Sequence, residues 1–448
     1  VNIAVIGAGW AGLAAAVHLK DLGATVTVFE AAPVPGGRAR GVDDVNMGRI
    51  DNGQHLMLGA YTESLRLIER LQTELALDQL LSRTPLHLES ADGSFKLRAP
   101  RLAAPFNTLL ALLTAKGLSL SDRLKALRMM VHCRLTGWQA QPNETVQSLL
   151  KRHKQTDLLC LKLWAPLCLA ALNTPVAQSC AQLFLNVLRD SLDAQRDASD
   201  LLIPRVDLTQ LWPAAAAETV SLRYRHLVRK VRATQTQVEV DDEPFEACLI
   251  AIPPYAAARV LFNASDESDD GLVNTAQRQS ETALLRLLRG FAYRSIATLT
   301  LELDDDWLLP HAMLMLDEDV TRGHLGQWVF RRAAHTRQLT VVISDAEDFL
   351  KHDRTQFVEA IATQIREQCA KRSQNAPPMP AVKYQRLIVE KRACFDAVPD
   401  LLRPGNQSPW PNIVLAGDWT DTGYPSVLEG AVRSGIRAAK ILQRQLAL

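Results

Sequence analysis

The chain has 448 residues, 50 Lys or Arg against 49 Asp or Glu, a formal net charge of +1 and 47% hydrophobic residues to bury. That length exceeds what one core usually serves, so two domains are expected, and the balanced charge speaks against nucleic acid as a partner. Seven cysteines (Cys133, Cys160, Cys168, Cys180, Cys248, Cys369 and Cys394) form no CxxC pair and are odd in number, the usage of reduced core thiols in a cytoplasmic protein. The ten histidines stand without partners at ligand spacing, so no metal site is expected. No apolar run reaches the roughly eighteen residues of a bilayer span, and a strand starting at Val1 leaves no signal peptide before it. A soluble or monotopic protein is expected.

An apolar strand from Val1 runs into Gly7-Ala8-Gly9-Trp10-Ala11-Gly12, a helix follows to Leu22, and a second strand, Thr25 to Phe29, ends at Glu30. This order is a dinucleotide-binding βαβ unit. Gly7 allows the tight turn, Gly9 lets backbone approach a pyrophosphate, and Gly12 lets helix and strand pack closely. Helix-start amides, with Trp10 and Ala11 among them, would face the phosphates, and Glu30 would accept hydrogen bonds from the ribose hydroxyls.

The next stretch, Ala31 to Arg38, makes a second glycine-rich turn at Gly36 and Gly37 that ends in a guanidinium. Arg38, with Arg40 behind it, offers planar donors to pyrophosphate or ribityl oxygens, which favours FAD over a nicotinamide cofactor. Asp51-Asn52-Gly53-Gln54-His55 follows as the loop expected against the isoalloxazine.

Residues 96 to 134 hold eight basic residues (Lys96, Arg98, Arg101, Lys116, Arg123, Lys125, Arg128 and Arg134) against one acid, Asp122. Phe106, Leu109, Leu110 and Leu113 share one helical face, and Leu120, Leu124, Leu127 and Val131 another. Two readings stand: the faces cover the core of the substrate domain, or they lie on an anionic membrane surface around the mouth of an apolar tunnel.

Farther on, Glu218 to Val240 alternates like a β-meander, and Ala247 to Ile252 reads as a buried strand returning to the dinucleotide-binding sheet. Val228 sits either where backbone meets the adenine or as a plain strand valine. An acidic loop (Asp266, Glu267, Asp269 and Asp270), a helix, strands Ser295 to Leu303 and near Leu339 to Ile343, and a helix from about Arg354 to Lys371 follow. Arg372 to Pro380 reads as a proline-rich linker back to the cofactor domain. Near the end, a strand from Asn412 to Leu415 leads into Ala416-Gly417-Asp418, then Gly423 to Ala431 and a helix to about Gln445. Asp418 would hold ribityl hydroxyls. The helix start at Val427 would point positive charge at the flavin, and Gly430 and Gly435 would permit close packing on the βαβ unit.

The expected fold is α/β: a Rossmann-type FAD-binding domain from residues 1–80, 205–262 and 385–448, and a discontinuous α+β substrate domain from 81–204 and 263–384. No second glycine-rich βαβ unit is present for NAD(P)H, so flavin reduction calls for an external electron donor.

With these motifs the chain resembles the flavin amine oxidase and phytoene desaturase superfamily over essentially its whole length. The Asn52-Gly53-Gln54-His55 loop, Leu201 to Pro213 and Ala416-Gly417-Asp418-Trp419-Thr420 are similar to its squalene-associated branch, the hydroxysqualene dehydroxylases of bacterial hopanoid synthesis. The resemblance implies an amine oxidase-like architecture, an apolar C30 isoprenoid substrate, and FADH2-dependent removal of the hydroxyl of hydroxysqualene to give squalene. Superfamily alternatives are a polyene desaturase, an amine oxidase and a non-catalytic prenyl-binding protein. Amine oxidases carry a lysine near the flavin ten residues before a strand-end tryptophan. Counting back from Trp307 gives Ala297. Losing a protonated allylic hydroxyl calls for a general acid with a pKa near working pH. His55 is the first candidate and Tyr424 the second; alternatively His55 orients the loop and Tyr424 is an aromatic wall.

Overall fold

The computed structural model describes residues 1–234, 237–262, 264, 275–332, 335–347, 354–372 and 377–447. The acidic residues 266, 267, 269 and 270 lie outside them. In chain order, the strands that frame the site are β1 (Asn2–Ile6), β2 (Thr25–Phe29), β3 (Ser221–Arg223), β4 (Ala247–Ile250), β5 (Tyr293–Leu303), β6 (Met313–Met315), β7 (Trp328–Arg331), β8 (Gln338–Ser344), β9 (Val382–Phe395) and β10 (Ile413–Leu415). The helices that matter are α1 (Trp10–Asp21), α2 (Phe106–Thr114), α3 (Leu120–Leu135), α4 (Arg354–Arg372) and α5 (Leu428–Leu446).

Strands β3-β2-β1-β4-β10 form a parallel sheet, in that order. β1 and β4 are near-continuous apolar runs because both of their faces are covered. α1 and α5 cover one face, and they approach so closely that a Cβ on Gly435 would come within 2.1 Å of the Ala11 carbonyl oxygen. Gly430 does not share this role: its nearest neighbours are Thr422 and Tyr424 of the preceding loop.

The second sheet, in the order β6-β7-β8-β5-β9, is antiparallel. Period-two alternation divides it between two cores. Ala297, Leu299, Leu301, Val329, Val341 and Ile343 face α4. Met313, Met315, Trp328 and Phe330 share a buried cluster with Leu112, Leu163, Trp164 and Leu188 of the largely helical insertion.

Two expectations change here. β9 pairs with β5, so residues 385–395 belong to the second sheet and the proline-rich stretch before them leads into it rather than back to the cofactor sheet. The meander is shorter and later than the alternation suggests: Val231–Ala233, Val238–Val240 and Glu243–Phe245 form it, while β3 joins the parallel sheet beside β2. The alternating pattern is the same in both settings, and hydrogen-bond direction is not written in it.

Candidate active site

Two glycine turns stack at the carboxyl end of β1. Gly7 has φ +104°, and a Cβ on Gly12 would come within 1.9 Å of the Gly7 oxygen. Gly36 donates its N–H to the Ala8 carbonyl at 2.8 Å, and a Cβ on Gly37 would lie 3.0 Å from Gly9 Cα. α1 starts at Gly9 without a side-chain cap although its first turn is buried. A buried, uncapped helix start needs an acceptor, and a pyrophosphate fits it. Trp10 sends its ring into the core, edge-on to Trp212 at 5.1 Å, so of Trp10 and its neighbour Ala11 the backbone is what faces this turn.

At the end of β2 the Glu30 carboxylate accepts from the Ala8 and Ala32 amides at 2.7 and 2.8 Å, which fixes it beside the first turn. The segment after β3 runs alongside: His226 N–H reaches the Glu30 carbonyl at 2.9 Å and Arg225 N–H the Ala32 carbonyl at 3.2 Å. Val228 is buried in that segment, on the flank where an adenosine held by Glu30 would end.

Arg38 and Asp418, expected at separate contacts, meet in an ion pair at 2.6 Å. Arg38 also donates to the Ala393 carbonyl of β9, and Ser426 Oγ donates to the other Asp418 oxygen at 2.7 Å. Gly417 has φ +148°, and a side chain there would strike the Trp419 indole. Val427 caps α5 through backbone alone, leaving that helix start open as well. The buried Arg403 braces this loop, donating to the Tyr424 carbonyl at 2.7 Å. Arg403 gives no signal in the sequence, because its partner is a backbone atom.

In the Asn52-Gly53-Gln54-His55 loop, Gln54 Nε2 turns back to the His55 carbonyl at 3.2 Å and His55 Nδ1 donates to the Gly53 carbonyl at 2.8 Å. Burial lowers the His55 pKa, the Gly53 carbonyl opposes this, and the Arg38 charge lowers it further. The shift favours the neutral ring, and with Nδ1 donating to Gly53 its Nε2 is the nitrogen left to accept. Tyr424 donates its hydroxyl to Asp190, and that hydroxyl oxygen accepts from Arg433 Nη1 at 3.2 Å. Burial, with the Asp190 contact, pushes the phenol up to about 12. Asp190 sits on a π-helical turn, Arg189–Asp193, a local widening that the sequence does not signal. Asp51 accepts from the Leu208 amide at 2.8 Å, tying the start of the loop to a segment far along the chain.

The strand beside the loop clarifies the missing lysine. Ala297 faces α4, away from the loop, whereas Thr298 Oγ1 lies 3.8 Å from where a Cβ on Gly53 would stand. β5 contains no lysine on either face.

All seven cysteines are free thiols. Contrary to the expectation of no ligand set, His87, Glu89 and His311 come together, brought from separate segments. Their imidazoles lie 2.7 and 3.0 Å from one Glu89 oxygen, and Lys96 and Arg372 bond the same carboxylate. Two permanent cations already offset that single charge, so the group acts as a polar joint between the two halves of the insertion.

Residues 10–442 match the family described as flavin containing amine oxidoreductase. A hydroxysqualene dehydroxylase of Rhodopseudomonas palustris is 31% identical over 98% of both chains. A probable zeta-carotene desaturase of Synechococcus elongatus is 22% identical over 99% of this chain and 98% of its own. Among solved structures, an oxidoreductase from Methanosarcina mazei superposes with a TM-score of 0.69 at 16% identity, covering 98% of this chain and all of the other. With two uncapped helix starts and a double glycine turn suited to a dinucleotide, the chain belongs to the flavin-containing amine oxidoreductase family and is an FAD-dependent oxidoreductase.

Proposed function

We propose that the enzyme removes the hydroxyl of hydroxysqualene to give squalene. The observation that carries this reading is the face of the second sheet that holds Thr298 beside the His55 loop: Met313, Met315, Trp328 and Phe330 make it apolar, and β5 carries no lysine. The full-length similarity to a hydroxysqualene dehydroxylase supports it. Bound FAD, when reduced, supplies the hydride equivalent. The protein's own part is to hold the apolar chain dry, to place its allylic C–O bond, and to see that the departing oxygen leaves as water, which requires a proton. His55 Nε2 faces this task as a carrier that must first be protonated, and Tyr424, tied to Asp190, steadies the loop beside it. The donor that reduces the flavin is a separate molecule.

The substrate side opens toward an anionic membrane surface in this reading. The sequence-defined apolar faces are mostly outward: Phe106, Leu110, Leu120, Leu124 and Val131 are exposed and Leu109, Leu113 and Leu127 half-buried, while Ala111, Leu112, Ala126, Met129 and Met130 fill the core. Asp122 is buried in a capping box with Ser119, leaving the exposed Arg98, Lys116 and Arg128 beside those apolar residues. No helix among the described residues is long and apolar enough to cross a membrane.

The deciding experiment is anaerobic. Enzyme carrying chemically reduced FAD is mixed with hydroxysqualene in detergent, flavin reoxidation is followed, and the product is extracted. Stoichiometric squalene with reoxidised flavin is expected. An inert reduced enzyme whose oxidised form is bleached by squalene or phytoene would instead make the protein a desaturase.

A further inference from the structure

Thr298 lies on β5 beside the His55 loop. It is only 3% exposed, in the middle of β5, and its hydroxyl has no hydrogen-bond partner among the described residues. Its neighbours across the sheet on that face are Val342 and then Trp328. Thr298 Oγ1 and His55 Cε1 lie 3.8 and 3.5 Å from a single point, the position a Cβ on Gly53 would take. The hydroxyl makes no hydrogen bond yet is not sealed off from water-sized space, so it is free to bond a ligand where it borders the apolar face beside the flavin-facing loop.

We propose that the Thr298 hydroxyl is the hydrogen-bond partner of the alcohol on the otherwise apolar substrate, setting its allylic carbon opposite the His55 loop. This rests on the reading of the substrate as an allylic alcohol. A site built to bond a hydroxyl rejects the analogue lacking it, because its own polar group is left unpaired. Substrate and product differ by that hydroxyl, so one side chain both selects the alcohol and loosens the hydrocarbon once the oxygen has left as water. Gly53 keeps the space between Thr298 and His55 open.

The test compares wild type, Thr298→Val and Thr298→Ser as oxidised holoenzymes, with binding of hydroxysqualene and of squalene read from the perturbation of the flavin absorbance. Wild type should bind the alcohol roughly 10-fold more tightly than the hydrocarbon. Thr298→Val, close in shape, should bind both alike, losing affinity for the alcohol and binding squalene at least as tightly as wild type, and Thr298→Ser should restore the preference. Squalene binding no weaker than that of wild type also shows that the site has kept its shape. A Val variant that still prefers the alcohol overturns the role of Thr298 while leaving dehydroxylation intact. A wild type that binds both alike and does not consume the alcohol overturns both.

Discussion

Arg38 and Asp418 stand 380 residues apart in sequence and 2.6 Å apart in space, joining the second glycine turn to the loop before α5. The pair fixes two cofactor-facing segments relative to one another. Removing one partner leaves the other charge half-buried and unpaired. Asp418→Ala should therefore loosen FAD by about 10-fold or more, from a charge-assisted hydrogen bond of roughly 1.5–3 kcal/mol. Fluorescence of flavin released on dilution measures it. Wild-type retention in the variant would show that the pair only braces the protein.

His55 gives a pH signature. Its pKa lies below the ordinary imidazole value through burial and the Arg38 charge, so the protonated fraction is small at neutral pH and grows on acidification. If the proton passes through Nε2, single-turnover rates should rise as pH falls below about 6.5, the unperturbed value. His55→Ala should keep its flavin, lose that rise and slow by ~10²-fold or more. Equal pH profiles for the two proteins would remove His55 from proton delivery.

Asp51 governs stability with the opposite slope from most carboxylates. Burial raises its pKa from 3.8 to about 7, the Leu208 amide, Arg332 and Arg49 pulling it down and Asp207 pushing it up. The folded chain thus holds a proton between these two values that the unfolded chain releases. This contribution to stability is full below 3.8 and lost as pH rises through about 7. Asp51→Asn, which keeps an acceptor for the Leu208 amide, should melt several degrees above wild type at pH 8, the gap closing toward pH 5. Melting curves across that range decide it, and a gap that ignores pH would mean that ionisation of Asp51 is not its source.

What could be read in advance follows from how far each signal reaches along the chain. The glycine turns and the Glu30 strand end are local patterns whose physics is complete within a few residues, and the sequence reading found them, whereas the pairing of Asp418 with Arg38 joins segments 380 residues apart. The parallel sheet was legible too, since β1, β4 and β10 are apolar on both faces. Thr298, Asp190 and Arg403 were not. Each takes its meaning from a partner brought by another segment: Gly53 for Thr298, Tyr424 for Asp190, a backbone carbonyl for Arg403. Ambiguity between a meander and a sheet edge explains β3.

The exposed faces of α2 and α3 make the membrane proposal testable with variants the sequence alone would have chosen badly. Arg123 is inside the eight-residue basic set, yet it donates to the Leu113 and Leu118 carbonyls, and Arg134 pairs with Asp193, so changing either perturbs the fold. Arg98, Lys116 and Arg128 are exposed and form no salt bridge among the described residues. Replacing these three with Gln removes about 1 kcal/mol of attraction each, so binding to anionic vesicles should fall roughly 10²-fold. Leu120→Ser with Leu124→Ser should weaken binding to the same vesicles by removing exposed apolar area, and this loss should persist at high salt, where the charge effect is screened. Sedimentation with phosphatidylserine-containing and neutral vesicles measures both. Wild type that stays in the supernatant with either vesicle ends the membrane proposal, and it would leave the outward leucines to an interface with another protein.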